Sequence, residues 1–146
     1  MGPKGRVLVV DDEPAIRALV AKIVERAGHP VVSARDGAEA IEKLESDEYA
    51  VVVLDLMMPN VDGYGLIDYI KASNRRRPAI IVISAGDSAS LRRLDGSVVH
   101  SILRKPFDID VLGDLITAAA LSSEEEIANA KDSGEILPFR KNDAAC

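Results

Sequence analysis

Tryptophan is absent from the 146 residues, phenylalanine and tyrosine are scarce, and the one cysteine is Cys146, at the last position. A single cysteine excludes an intrachain disulfide and points to a reducing compartment. No apolar run approaches the roughly 20 residues that a membrane-spanning helix needs. The N-terminus, MGPKGRVLVVDDE, lacks the apolar segment of a signal peptide, and Gly2 lacks the downstream pattern for myristoylation. Basic residues are outnumbered too: 18 Lys and Arg stand against 24 Asp and Glu, for a net charge of −6. That balance excludes a general electrostatic attraction to nucleic acid. With 47% hydrophobic and 29% charged residues, the chain reads as a cytoplasmic globular domain that neither enters a membrane nor binds DNA directly. No internal repeat or low-complexity segment interrupts it.

What is present is organised around Ala50–Gly63, AVVVLDLMMPNVDG. Four aliphatic residues in a row, Val51 to Leu54, suit a strand buried on both faces of a parallel sheet. The run ends on Asp55, and Met58 to Gly63 then read as a loop. Upstream, Arg6–Val10 is a second buried-strand candidate running into Asp11–Asp12–Glu13–Pro14. Pro14 fits a helix's first turn, with Asp12 or Glu13 at its positive end. Ile16, Leu19, Val20, Ile23 and Val24 give that helix an apolar face, stopped by Gly28 and Pro30.

Val31–Ala34 is a weak strand, followed by a helix carrying Ala38, Ile41 and Leu44. A helix over about Tyr64–Ser73 turns Leu66, Ile67 and Ile70 inward, and Arg75–Arg77 reads as its solvated end. Ala79–Ser84 is the most apolar strand candidate. Gly86–Arg93 reads as a loop and short helix, Ser97–Leu103 as a fifth strand. The last helix is Asp108–Leu121, with Leu112, Leu115, Ile116 and Ala119 on one face and Asp108 or Asp110 serving its first turn. This alternation predicts an α/β fold, a doubly wound parallel sheet of five strands.

In such a sheet, reactive side chains collect at the strand ends: Asp11 and Asp12 after the first, Asp55 after the third, Ser84 after the fourth, Lys105 after the fifth. Taken singly, the aspartates read as caps or turn residues, Ser84 as an ordinary strand end and Lys105 as a solvated charge. All five on one edge make that joint reading improbable. Three carboxylates together repel one another unless a cation neutralises them. Mg²⁺ takes oxygen ligands octahedrally and suits the place. With a lysine as point charge and a serine hydroxyl as donor, these are the parts for phosphoryl transfer to a carboxylate.

The motifs VLVVDDE (Val7–Glu13), VVLDLMMPNVDG (Val52–Gly63), ISA (Ile83–Ala85) and KPF (Lys105–Phe107), in this order and spacing, resemble the receiver domain of two-component response regulators, the CheY-like superfamily. The resemblance covers about Arg6–Leu121 and implies the flavodoxin-like (βα)5 receiver fold. It implies that Asp55 accepts a phosphoryl group from a phosphohistidine on a sensor histidine kinase or histidine phosphotransfer protein. Asp12 and Asp55 would ligate Mg²⁺ directly with the backbone carbonyl of Met57, and Asp11 mainly through water. Ser84 would hydrogen-bond the phosphoryl group, Lys105 would pair with it, and the Lys105–Pro106 bond would be cis. Ile102 stands where the family often carries an aromatic switch residue, in a part of the sheet that many members use to form homodimers.

Two other classes are weighed against this. An Mg²⁺-dependent phosphatase of the haloacid dehalogenase type would carry a second aspartate two residues after Asp55, where this chain has Met57. A flavodoxin-like nucleotide binder would want a Gly-, Ser- or Thr-rich loop where this chain has DDEP. The expected boundaries are a receiver over residues 1–121 and a tail or linker over 122–146. The tail has no room for a helix-turn-helix. Its segment Glu124–Phe139 faintly resembles the opening of EAL-type cyclic-di-GMP phosphodiesterases, which would make it the start of a truncated output domain. A charged, partly disordered tail is the favoured reading.

Overall fold

The computed structural model describes residues 5–58, 60–73, 77–85, 91–94 and 96–133, with side chains as far as Ser122. The strands are β1 (Val7–Val10), β2 (Val31–Ala34), β3 (Val51–Asp55), β4 (Ala79–Ser84) and β5 (Val99–Arg104). The helices are α1 (Pro14–Arg26), α2 (Gly37–Ser46), α3 (Gly63–Ala72) and α4 (Ile109–Ser133). All neighbouring strands pair in parallel, in the order β2-β1-β3-β4-β5. This is the expected doubly wound sheet.

Aliphatic runs without alternation become the central strands because both faces are covered. Leu8, Val10, Val52, Leu54, Ile80 and Val82 face α2 and α3, meeting Ala40, Leu44, Leu66, Ile67 and Ile70. Val7, Val9, Val51, Val53, Ile81 and Ile83 face α1 and α4, meeting Val20, Ile23, Val24, Leu112 and Ile116. The chain runs from β1 outward to β2, then returns to place β3 on the other side of β1. Beyond the carboxyl ends of β1 and β3 lies the crevice that such a reversal opens.

Local chemistry sets the boundaries. Helix α1 starts with Pro14 in its first turn and ends in a Schellman motif: Gly28 has φ 94°, its N–H donates to the Glu25 carbonyl at 2.9 Å, and the His29 N–H donates to Val24 at 3.2 Å. Asp36 caps α2 by accepting from the Glu39 N–H, Asp62 caps α3 through Gly65, and Asp108 accepts from Asp110 and Val111 at the start of α4.

Several expectations need correction. Leu19 is exposed, so the buried stripe of α1 is Val20, Ile23 and Val24. In α2 the inward positions are Gly37, Ala40 and Leu44, and Ala38 is exposed. The reason is a close approach: a Cβ on Gly37 would sit 2.0 Å from the Val61 carbonyl oxygen, so this glycine takes the inward place. Strand β5 starts two residues later and ends one later than expected. Helix α4 does not stop at Leu121 but continues to Ser133, through the first half of the segment expected as a tail. Glu124–Lys131 is therefore helical, as a continuation of α4 rather than a separate helix, and 134–139 lie outside the described residues. Of the short helix expected near Gly86–Arg93, residues 86–90 are also outside them, and Leu91 and Arg92 are helical. Arg75 and Arg76 are outside as well; Arg77 is exposed.

Candidate functional site

The register decides which side chains meet. Val10 pairs with Leu54, which puts Asp11 and Asp55 side by side at the crevice. Asp55 pairs with Ile83, and Ser84 pairs with Arg104, so Ser84 and Lys105 emerge at the same edge. Asp11 is 3% exposed and Asp55 6% exposed, unusual for carboxylates without partners. Both have them. Asp11 Oδ1 accepts from the Glu13 N–H at 2.9 Å, and Asp55 Oδ1 accepts from the Met57 N–H at 3.1 Å. Each bond occupies one carboxylate oxygen and leaves the other, Oδ2, free to turn toward Lys105.

Lys105 Nζ lies 3.2 Å from Asp55 Oδ2, 3.7 Å from Asp11 Oδ2 and 3.5 Å from Glu13 Oε1. The Lys105 backbone N–H donates to the Ser84 carbonyl at 3.0 Å, and the Lys105–Pro106 bond is cis, as expected. Asp12 completes the group: one carboxylate oxygen each from Asp11, Asp12 and Asp55 lie within 4.8 Å of one another. Arg17 reaches back from α1 to donate to the Asp11 carbonyl at 2.8 Å, bracing the turn after β1. The Met57 side chain is exposed beside the group, and Ser84 is fully buried at the end of β4.

Three carboxylates therefore face one ammonium, with Asp12 a fourth negative charge beside them, and the electrostatics follow. Burial pushes the Asp11 carboxyl above its ordinary range; the charges of Asp55 and Asp12 push the same way, against the Glu13 N–H and Lys105. Burial pulls Lys105 down, but its hydrogen bond to Asp55 and the charges of Asp11, Asp55 and Glu13 outweigh it, and its pKa is raised. Lys105 is held as a cation in a site that remains short of positive charge. A donor set made only of carboxylate oxygens fits a hard divalent cation, which would relieve that shortage.

The structure thus brings together Asp11, Asp12, Asp55 and Lys105, with Ser84 one residue beyond the register partner of Asp55. Sequence reasoning missed two features. Glu13 was assigned only to a helix end, yet it contacts Lys105; the signal was Pro14, which fixes Glu13 as the residue before the helix at the sheet edge. The second is the brace under the loop after β3. Asn60, at φ 64°, donates from Nδ2 to Asp36 Oδ2 at 2.8 Å, tying that loop to the cap of α2. These bonds hold the Asp36 carboxyl below its ordinary range, the Glu39 N–H most strongly and Asn60 next.

No helix among the described residues is long and apolar enough to cross a membrane. Solved structures give the same architecture. The receiver domain of the Francisella response regulator 1452 superposes with a TM-score of 0.73 at 31% identity, over 82% of this chain and 98% of that one. Among curated proteins, the transcriptional regulatory protein TcrA of Mycobacterium tuberculosis is 33% identical over 108 residues, 73% of this chain and 42% of TcrA. The CAI-1 autoinducer sensor kinase/phosphatase CqsS of Vibrio cholerae is 35% identical over 116 residues, 77% of this chain and 17% of CqsS. The chain thus spans less than half the length of either curated relative. The model of the response regulator receiver domain matches residues 7–117, every strand and the first turns of α4 included, and the chain belongs to that family.

Proposed function

We propose that this receiver domain takes a phosphoryl group on Asp55. The observation that carries the reading is the orientation of its carboxylate: Oδ1 is tied to the Met57 N–H, while Oδ2 lies 3.2 Å from Lys105 Nζ. In the transfer, Asp55 Oδ2 forms a bond to phosphorus as the bond from phosphorus to an imidazole nitrogen breaks, and the imidazole leaves with the electron pair. Lys105 offers its ammonium to the phosphoryl oxygens, and Ser84 its hydroxyl. Asp11, Asp12 and Asp55, with the Met57 carbonyl, are the residues that would hold Mg²⁺. Bound there, Mg²⁺ would neutralise charge on the transferring group.

Sensor kinases among the relatives support a phosphohistidine as donor, on a histidine kinase or a phosphotransfer protein. We place the reaction in the cytoplasm. The domain acts by switching a partner, and the chemistry it performs is confined to its own aspartate. Nothing favours the phosphatase, the nucleotide binder or the EAL-type output. Incubation with acetyl phosphate and Mg²⁺ should add one phosphoryl group by intact mass, and Asp55→Asn should abolish the addition. Undiminished labelling of that variant would falsify the assignment.

A further inference from the structure

The phosphoryl-transfer reading leaves Glu13 without a part. It occupies the N-cap of α1, where Ser, Thr, Asp and Asn are preferred, and its side chain makes no capping bond. Instead its Oε1 lies 3.5 Å from Lys105 Nζ, across 92 residues of sequence. It is not among the three carboxylates whose oxygens cluster as a cation site. Its surroundings also differ from theirs: the side chain is 62% exposed, against 5% for Asp11 and 7% for Asp55.

An exposed ion pair is weak and exchangeable, whereas the buried contacts to Asp55 and Asp11 persist because the desolvated ammonium needs them. A phosphoryl group on Asp55 would bring new oxygens to the same ammonium and compete with its weakest partner. We propose that Glu13 is a positioning residue acting through Lys105: it holds the ammonium in the resting protein and yields it on phosphorylation. Its contact thereby sets how tightly the site retains a phosphoryl group. The proposal rests on the reading of Asp55 as phosphoacceptor.

The test is a titration of the full chain with beryllofluoride, a mimic of the aspartyl phosphate, at fixed Mg²⁺, followed by amide NMR shifts. Glu13→Gln should bind roughly two- to fivefold tighter, the range an exposed ion pair supports. Glu13→Asp keeps the charge but loses reach, and should follow Glu13→Gln. In a Lys105→Ala background, Glu13→Gln should change nothing. In the metal-free protein, Glu13→Gln should shift the Lys105 side-chain resonance. Wild-type affinity in Glu13→Gln, an effect surviving Lys105→Ala, or Glu13→Asp behaving as wild type would each overturn the proposal. In the last case diffuse repulsion, not contact, is at work. A wild-type protein that fails to bind beryllofluoride overturns the phosphoacceptor reading itself and this proposal with it.

Discussion

Strands β3 and β5 end at the same edge and deliver the two groups that face each other there, yet they are built differently. All five residues of β3 are buried, and its register with β1 and β4 runs without interruption. A slip by one residue would swap every side chain between two differently packed faces and carry Asp55 into the core or out of it, so Asp55 is fixed by the core itself. Strand β5 lies at the sheet edge, alternates partly buried with exposed residues, and pairs with β4 through a register shift between Ile80 and Ile81. One face of β5 is backed by Leu103 against the α1 and α4 side. On the other, Ile102 is 42% exposed and His100 is open to solvent, its Nδ1 2.7 Å from Ser101 Oγ. The contrast separates tasks. Asp55, the proposed phosphoacceptor, sits where the core allows no movement; Lys105 follows a strand that can adjust without breaking the core.

The comparison is broken most directly by removing one apolar side chain from each region. Ile81→Ala, in the fully buried centre of β4, should cost about 2–5 kcal/mol. Ile102→Ala should stay within about 0.5 kcal/mol, as surface changes usually do. Urea unfolding of both variants decides it, and equal losses would mean that β5 is as tightly built as the centre. Ile102→Ala should also leave phosphorylation by acetyl phosphate intact, because Ile102 lies on the exposed face of the edge strand.

The acidic end of the central strands should itself be a source of instability. Burial raises the Asp11 pKa above the ordinary 3.8, so folding favours its neutral form. By linkage, that contribution is fully present below the unfolded value and is lost as pH rises through the raised, folded value. At neutral pH the metal-free protein therefore carries a penalty at Asp11. Asp11→Asn keeps an oxygen for the Glu13 N–H and removes the charge. Its melting temperature without Mg²⁺ should exceed that of wild type at pH 7, with the difference shrinking toward pH 4. Mg²⁺ should stabilise the wild type more than the variant. A variant less stable than wild type at neutral pH would show that Lys105 already compensates Asp11 in full.

Much of this was legible in the sequence because the central strands obey one rule. Val51–Leu54 and Ile80–Ile83 are unbroken aliphatic runs, and only two-sided burial accounts for them. The polar residues that end them fell where a parallel sheet puts ligands, so Asp11, Asp12, Asp55, Ser84 and Lys105 could be named together. What escaped depends on contacts between elements. Nothing local says that Gly37 abuts the Val61 carbonyl, which moved the inward face of α2 off Ala38. The reach of Glu13 to Lys105 spans nearly two thirds of the chain, and no periodicity records it. The end of α4 escaped for another reason. The apolar pattern stops near Leu121, but helical hydrogen bonding continues without it.

That continuation gives the smallest expected effect. Among the described side chains of α4, Leu112, Ile116, Ala119 and Ala120 are buried, while Leu121 is exposed. Apolar packing contributes most of the stability of a helix in a protein, and propensity little. Residues 122–133 extend α4 by twelve positions, roughly 18 Å at 1.5 Å each, beyond the last buried alanines. Truncation after Leu121 should therefore leave urea-unfolding stability within about 1 kcal/mol of the full chain, against the roughly 5–15 kcal/mol typical of a domain. The rate of phosphorylation by acetyl phosphate should not change, since Asp55 and Lys105 lie at the carboxyl edge of the sheet and are held there by Asp11, Glu13, Met57 and Ser84. A larger loss would place the extended helix with the central strands rather than with β5, as part of what holds the site rigid.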